Sequence, residues 1–174
     1  MLEKNEIITL SGKIGFEPEN KTKKHNLQAS WKRIAMVFFD GDVCEYYAWY
    51  LKKRFNLILN KPLRGPHISF INDKSSDMTL DGEISLEEVD KNWERVKNIW
   101  DGKEVEISIC LDYRTDGSHW WLNVDEASSK SLQLIRNELN LGKPFYNFHL
   151  SLGYANERNI EHSRYIHKLL VFHL

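Results

Sequence analysis

Two short stretches of the chain share one pattern of apolar and polar positions, reading PHISF and FHLSL. In each, a histidine and a serine alternate with apolar residues. Because side chains two residues apart point to the same face of an extended strand, His67 and Ser69 are predicted to project together. The same holds for His149 and Ser151, and the apolar neighbours of both pairs are predicted to face a core. Two imidazoles and two hydroxyls on two strands make a candidate site.

The remaining hydrophobic pattern predicts the other elements. Apolar or alternating runs predict strands at residues 7–16 (a strand or a hairpin), 34–39, 66–71, 104–112, 119–124 and 146–155. Helical spacing, with caps and stop signals, predicts helices at 43–55, 85–100, 127–140 and 160–170. Polar stretches predict surface loops at 17–30 and 72–82. The first loop is either a solvated excursion or a flap that brings cations over an anionic ligand, the candidates being Lys21, Lys23, Lys24 and His25.

The order of these elements repeats along the chain. In the first part of the chain, a strand, a helix and a helix-breaking segment precede the strand that contains PHISF. In the second part, a strand, a helix and a helix-breaking segment precede the strand that contains FHLSL. A duplicated architecture of this kind is expected to place the two motifs symmetrically about a central cleft. The two imidazoles are then expected to face each other across a gap about the size of one phosphate group.

Composition narrows the class of protein. The chain has 174 residues, 24 basic and 25 acidic side chains and a formal net charge of −1, which predicts one domain over 1–174 and argues against a surface built to bind long nucleic acids. Only two cysteines are present, and no apolar run approaches the roughly 20 residues of a membrane span. With no signal-peptide pattern at the N-terminus, we expect a cytoplasmic protein, in the host cytoplasm if the source is viral.

In sequence, the two His-x-Ser motifs resemble those of the 2H phosphoesterase superfamily, which is named for two His-x-Ser/Thr motifs. The resemblance implies an α+β fold, a bilobal duplication with two antiparallel sheets that face a central cleft and helices outside. It implies that His67, Ser69, His149 and Ser151 are the catalytic residues. Members include bacterial RNA-end enzymes and phage proteins that destroy cyclic nucleotide immune signals, and a phage source would suit this chain.

The chemistry of phosphodiester cleavage fits these side chains. Cleavage needs a base to activate water or a ribose hydroxyl and an acid to protonate the leaving oxygen, and histidine titrates close enough to neutrality for both roles. Serine hydroxyls can donate to the non-bridging phosphate oxygens. The sequence has no tight acidic cluster or HExxH spacing, so we expect no metal and no cofactor. The predicted substrate linkage is 2′,3′-cyclic, 2′–5′ or cyclic-oligonucleotide, and which histidine is the base stays open.

Four further residues are candidate substrate contacts. Arg64 precedes the first motif and Lys143 the second, where each could pair with phosphate or be an ordinary solvated charge. Tyr113 and whichever of two adjacent tryptophans faces the cleft, taken as Trp121, could stack a nucleobase or belong to the core. The remaining histidines are assigned to the surface or to helix faces: His25, His119, His162, His167 and His173.

Three alternatives remain at this stage. The two histidines could be half-buried strand residues that bond to backbone or to their own serines. The protein could be a non-catalytic RNA- or nucleotide-binding module, or, more weakly, a metal-dependent hydrolase with His67 and His149 as ligands. The partner expected in the main interpretation is a small nucleotide or oligonucleotide, with no membrane and no obligate protein partner.

Overall fold

The computed structural model describes residues 6–18, 34–72, 86–144, 146–156 and 160. The elements are, in chain order, β1 (Ile7–Phe16), β2 (Ala35–Phe38), α1 (Asp42–Phe55), β3 (His67–Ile71), α2 (Leu86–Trp100), β4 (Glu104–Thr115), β5 (His119–Val124), α3 (Glu126–Asn137) and β6 (His149–Tyr154). Among these, no helix is long and apolar enough to cross a membrane. The predicted segments that lie wholly or mainly outside the described residues are the loops at 17–30 and 72–82, the helix start at Ser85, the helix at 160–170 and His173.

All six strands pair into one antiparallel sheet in the order β3-β2-β1-β4-β5-β6. The predicted α+β class is confirmed, whereas the expected division into two separate sheets is not, because β1 and β4 pair directly over Ile7–Lys13. The two edge strands, β3 and β6, also contact each other. The sheet therefore nearly closes into a barrel, and both motif strands meet at the closure.

The two motif strands occupy matching places in their ladders. Each motif residue has one partner on the preceding strand: Phe38 opposite His67, Met36 opposite Ser69, Asn123 opposite His149 and Trp121 opposite Ser151. Just beyond each serine the register shifts by one residue, leaving Phe70 unpaired in β3 and Leu152 unpaired in β6. Both strands thus carry one extra residue at the same place, directly after the serine.

The apolar face of each motif strand belongs to the core. Ile68, Phe70, Leu150 and Leu152 are at most 2% exposed, which confirms the predicted alternation. Burial of side chains of this size contributes roughly 1.5–3 kcal/mol each. Since a slip of one residue would turn the histidine and serine into the core, this burial holds the register of both motifs.

Two helices cross from one half of the chain to the motif strand of the other. Here the first half is β1–β3 with α1, and the second is β4–β6 with α3. Helix α1 contacts β6, where the Cys44 thiol donates to the Ser151 carbonyl (3.5 Å), and α3 contacts β3. In α3, the guanidinium of Arg136, 1% exposed, donates to the Phe70 carbonyl (2.9 Å) and twice to the Gly142 carbonyl (2.8 and 3.1 Å). One buried side chain thus ties β3 to the segment that leads into β6.

A backbone bridge places the loop before β3 against β6. Asn60 N donates to Tyr154 O (2.7 Å), and Tyr154 N donates to Asn60 O (3.1 Å). A side chain at Gly153 would have its Cβ only 2.6 Å from the Asn60 carbonyl, and its φ of +152° is one that other residues rarely adopt. Glycine at 153 therefore permits the approach that holds the loop of residues 62–64 beside the motifs.

We expect Arg136→Met to lower the free energy of unfolding by about 2–4 kcal/mol, because it leaves two inward-facing carbonyls without these donors. Urea unfolding monitored by circular dichroism measures the change. Arg95→Met is the matched control, since Arg95 is exposed and pairs with Glu138 at 3.5 Å, and should cost no more than about 1 kcal/mol. Equal losses in the two variants would contradict the role given to Arg136.

Candidate functional site

A cavity lies where the two motif strands meet. Its volume is about 970 Å³, at the upper end of the range of ligand pockets. His67, His149 and Ser151 all line it. The two histidines thus open onto one cavity and not onto opposite faces of the sheet.

Both imidazoles are held by the same contact. Nδ1 of His67 lies 2.8 Å from the carbonyl of Gly65, and Nδ1 of His149 lies 2.8 Å from the carbonyl of Asn147. Since a carbonyl only accepts, each Nδ1 carries the hydrogen and each Nε2 is left as the basic nitrogen. A backbone carbonyl two residues earlier therefore fixes the ring orientation and the neutral tautomer of both histidines.

The surroundings of His67 favour its neutral form. Burial is the largest cause that lowers the pKa of His67 below its ordinary value of 6.5, and the positive charges of Arg64 and His149 lower it further. The bond to Gly65 acts in the opposite direction without reversing the shift. At neutral pH His67 is therefore an unprotonated imidazole beside a guanidinium.

The serines are placed less evenly than the histidines. Both are half-buried and share a strand face with their histidines. Ser151 lines the cavity, whereas Ser69 is not among its lining residues. The second motif thus presents both of its polar side chains to the cavity, and the first presents its histidine.

Two of the four predicted substrate contacts also reach this cavity. Arg64 lines it, and so does Trp121, whose ring centroid is 6.0 Å from that of His149. Trp120 also borders the cavity but has only 1% of its surface exposed and packs in the core, so Trp121 carries the more accessible face.

The other two candidates lie elsewhere. Tyr113 borders a second cavity, lined mainly by tyrosines of α1 and by residues of β4. Lys143 is exposed and lines neither cavity. The position that matches Arg64, three residues before the motif histidine, is Tyr146, which does line the histidine cavity. Counting back from each motif by the same number of residues would have found Tyr146.

Asn123 is a second residue that the sequence analysis missed. It lies directly opposite His149, and its side-chain oxygen accepts from the Trp121 indole at 3.1 Å. Its amide NH₂ group is then the part left to donate to a ligand. Strand alternation is the signal that could have found it, because residues 119, 121 and 123 of β5 share a face.

The same alternation brings His119 to the rim of the cavity, where it is exposed as predicted, and Arg114 of β4 reaches the cavity opposite Trp121. His119 Nδ1 lies 2.9 Å from the Ser118 hydroxyl and 3.3 Å from a carboxylate oxygen of Asp116. Asp116 also accepts from the backbone N–H groups of Ser118 and His119 at 2.9 and 2.7 Å. Although burial alone would raise the pKa of Asp116, these donors lower it to about 2.

The charged side chains of the cavity favour an anionic ligand. Its lining contains two arginines against one carboxylate, that of Asp116, and of its three histidines His67 is neutral at neutral pH. Within the described part of the chain, no group of three His, Cys, Asp or Glu side chains is arranged to hold a metal ion.

The chain was also compared with protein-family models, curated proteins and solved structures. None of the three comparisons gave a match.

Proposed function

We propose that this protein is a metal-independent phosphodiesterase that cleaves a nucleotide phosphodiester with His67 and His149 as its acid–base pair. The observation that carries the proposal is the matched pair of imidazoles. Each lies at the same place in its ladder, has its Nδ1 on a carbonyl two residues earlier and opens onto one positively lined cavity. Strand histidines that served only the core would not need this equivalence.

The reaction needs one neutral and one protonated histidine. We assign the base to His67, because its lowered pKa keeps Nε2 unprotonated at neutral pH. Nε2 takes a proton from water or from a ribose 2′-hydroxyl, and the resulting oxygen nucleophile bonds to phosphorus. The bond from phosphorus to the leaving oxygen breaks, and His149 gives its proton to that oxygen. Proton exchange with solvent then restores both histidines.

The remaining cavity groups have complementary roles in this scheme. Arg64, next to His67, neutralises charge on the non-bridging phosphate oxygens, and the Ser151 hydroxyl donates to them. Ser69 lies on the same strand face as His67 but outside the cavity lining, so the same role for its hydroxyl rests on the motif alone. In this scheme the first half of the chain supplies both the guanidinium of Arg64 and the base, His67.

The nucleoside is placed against the second half. Trp121 and Tyr146 present aromatic surface to the cavity, and Asn123 adds an amide donor. At the matching ladder positions of the first half lie Met36, which is buried, and Phe38. A base stacked on Trp121 would put its phosphate beside His149.

The proposal includes the resemblance to the 2H phosphoesterase superfamily and the two-lobed duplication that this resemblance implies. The matching ladders, bulges and crossed helices of the two halves support it. The substrate is then a 2′,3′-cyclic, 2′–5′ or cyclic-oligonucleotide linkage, met in the cytoplasm or, for a phage product, in the cytoplasm of the host.

We expect His67→Ala and His149→Ala each to lower kcat by about 10²–10⁴-fold, since each removes one proton-transfer group. Turnover of a 2′,3′-cyclic nucleotide, a 2′–5′ dinucleotide and a cyclic dinucleotide is measured with EDTA present, and circular dichroism checks the fold. Near-normal turnover in both variants would exclude the mechanism. Tight binding without turnover by the unmodified chain would favour a non-catalytic nucleotide-binding module, and turnover abolished by EDTA would favour a metal-dependent hydrolase.

The pH dependence should report the state of His67. Because its pKa lies below 6.5, the acid limb of kcat/KM should lie below pH 6.5, and Arg64→Met should move it to higher pH by removing a neighbouring positive charge. Titration of the imidazole ¹⁵N shifts measures the same pKa without substrate. Lys143→Met is the control and should leave it unchanged. A His67 pKa at or above 6.5 would contradict its assignment as the base.

Trp121→Ala should raise KM roughly 10- to 100-fold, since stacking on an aromatic ring contributes about 1–3 kcal/mol per base. The control is Trp49→Ala, because Trp49 is 58% exposed on α1 and lies outside both cavities. Steady-state kinetics on the preferred substrate separates the two variants. Equal effects of both substitutions would argue against a base on Trp121.

A further inference from the structure

The cavity continues along the β4–β5 hairpin, beyond the two motif histidines. Its lining side chains form rows across the neighbouring strands. Asn123, opposite His149, lies in the first row, and Trp121, opposite Arg114, lies in the second. His119, opposite Tyr154, lies one row further on. At about 3.3 Å per strand residue, the second row is roughly 7 Å and the third roughly 13 Å from the first. The cavity is therefore longer than one phosphate and one base require.

Arg114 supplies the positive charge of this extension. Its side chain is exposed and borders both this cavity and the tyrosine-lined one, and that side chain makes no hydrogen bond or ion pair with any other described residue. A guanidinium in this state can bind a phosphate through two parallel N–H···O bonds. It does not first have to give up an internal ion pair with those residues.

The carboxylate in this part of the cavity is already engaged. Asp116 accepts from the backbone of Ser118 and His119 and from the Ser118 hydroxyl. Its second oxygen faces His119 Nδ1. These contacts engage both oxygens of Asp116 within the turn and orient the ring of His119. Its Nε2 makes none of them, and the N–H at Nε2 of the protonated ring can donate to a phosphate oxygen.

We propose that Arg114 and His119 form a second phosphate subsite, so that the substrate carries at least two phosphate groups and is not a cyclic mononucleotide. The inference rests on the proposed function in placing the first phosphate between His67 and His149. The second group could be a terminal phosphomonoester or a further phosphodiester, since a guanidinium binds both.

Calorimetric binding of uncleaved product-like ligands tests this without depending on turnover. Adenosine 3′-monophosphate carries one phosphate, adenosine 3′,5′-bisphosphate adds a second as a monoester, and the dinucleotide ApAp adds it as a diester. Binding is measured at fixed ionic strength for the unmodified chain and for Arg114→Met, His119→Gln and Arg54→Met, with ligand integrity checked by chromatography. Arg54→Met removes an exposed charge of α1 that lies outside both cavities.

We expect the unmodified chain to bind one of the two-phosphate ligands at least about tenfold more tightly than the monophosphate. That gain should disappear in Arg114→Met, shrink in His119→Gln and persist in Arg54→Met. The ligand that shows the gain identifies the second group as monoester or diester.

Three results would overturn the second subsite. If the monophosphate binds but neither larger ligand binds better, or if Arg114→Met keeps the gain, the subsite is wrong while the proposed function stands. If none of the ligands binds, both are wrong. If the gain depends on Arg114 but the chain turns over no phosphodiester, the subsite is supported and the catalytic proposal fails.

Discussion

The two-residue period of a β-strand is the constraint on which the site depends. Each motif strand buries one face completely, so every polar side chain that it carries must lie on the other face. The closure of the sheet then brings these two polar faces to one cavity. The strand face on which these side chains lie thus follows from the burial of their neighbours, and the backbone carbonyls of Gly65 and Asn147 then orient the two rings.

Local patterns predicted the elements well, because strands and helices are read from spacings of a few residues. The strands around His67 and His149, the hairpin before His119 and the helix that ends at Trp100 all agree with the structure to within a few residues. Pairing of β1 with β4 could not be predicted, since it joins residues about a hundred positions apart through backbone bonds that leave no mark on the side-chain pattern.

Residues of the site could be predicted where strand alternation decides their position. They could not be predicted where the packing of a distant element decides it. Trp121 was found because one of two adjacent strand residues must face away from the core. Lys143 was chosen for its closeness to the motif, but it lies six residues before His149, whereas Arg64 lies three before His67, and the equal count leads to Tyr146, which lines the cavity. Tyr113 alternates correctly on β4, yet it borders the tyrosine-lined cavity of α1, and only the placement of that helix decides this.

The crossed helices make the two halves interdependent. The core face of β3 is covered by a helix from the second half, and that of β6 by a helix from the first. Removing either helix uncovers the motif strand of the opposite half, so a partly unfolded chain cannot keep one histidine in place while it loses the other. Unfolding should therefore be all-or-none, and a sample that has lost a fraction of its structure should contain that fraction of molecules with neither histidine in place beside molecules with both.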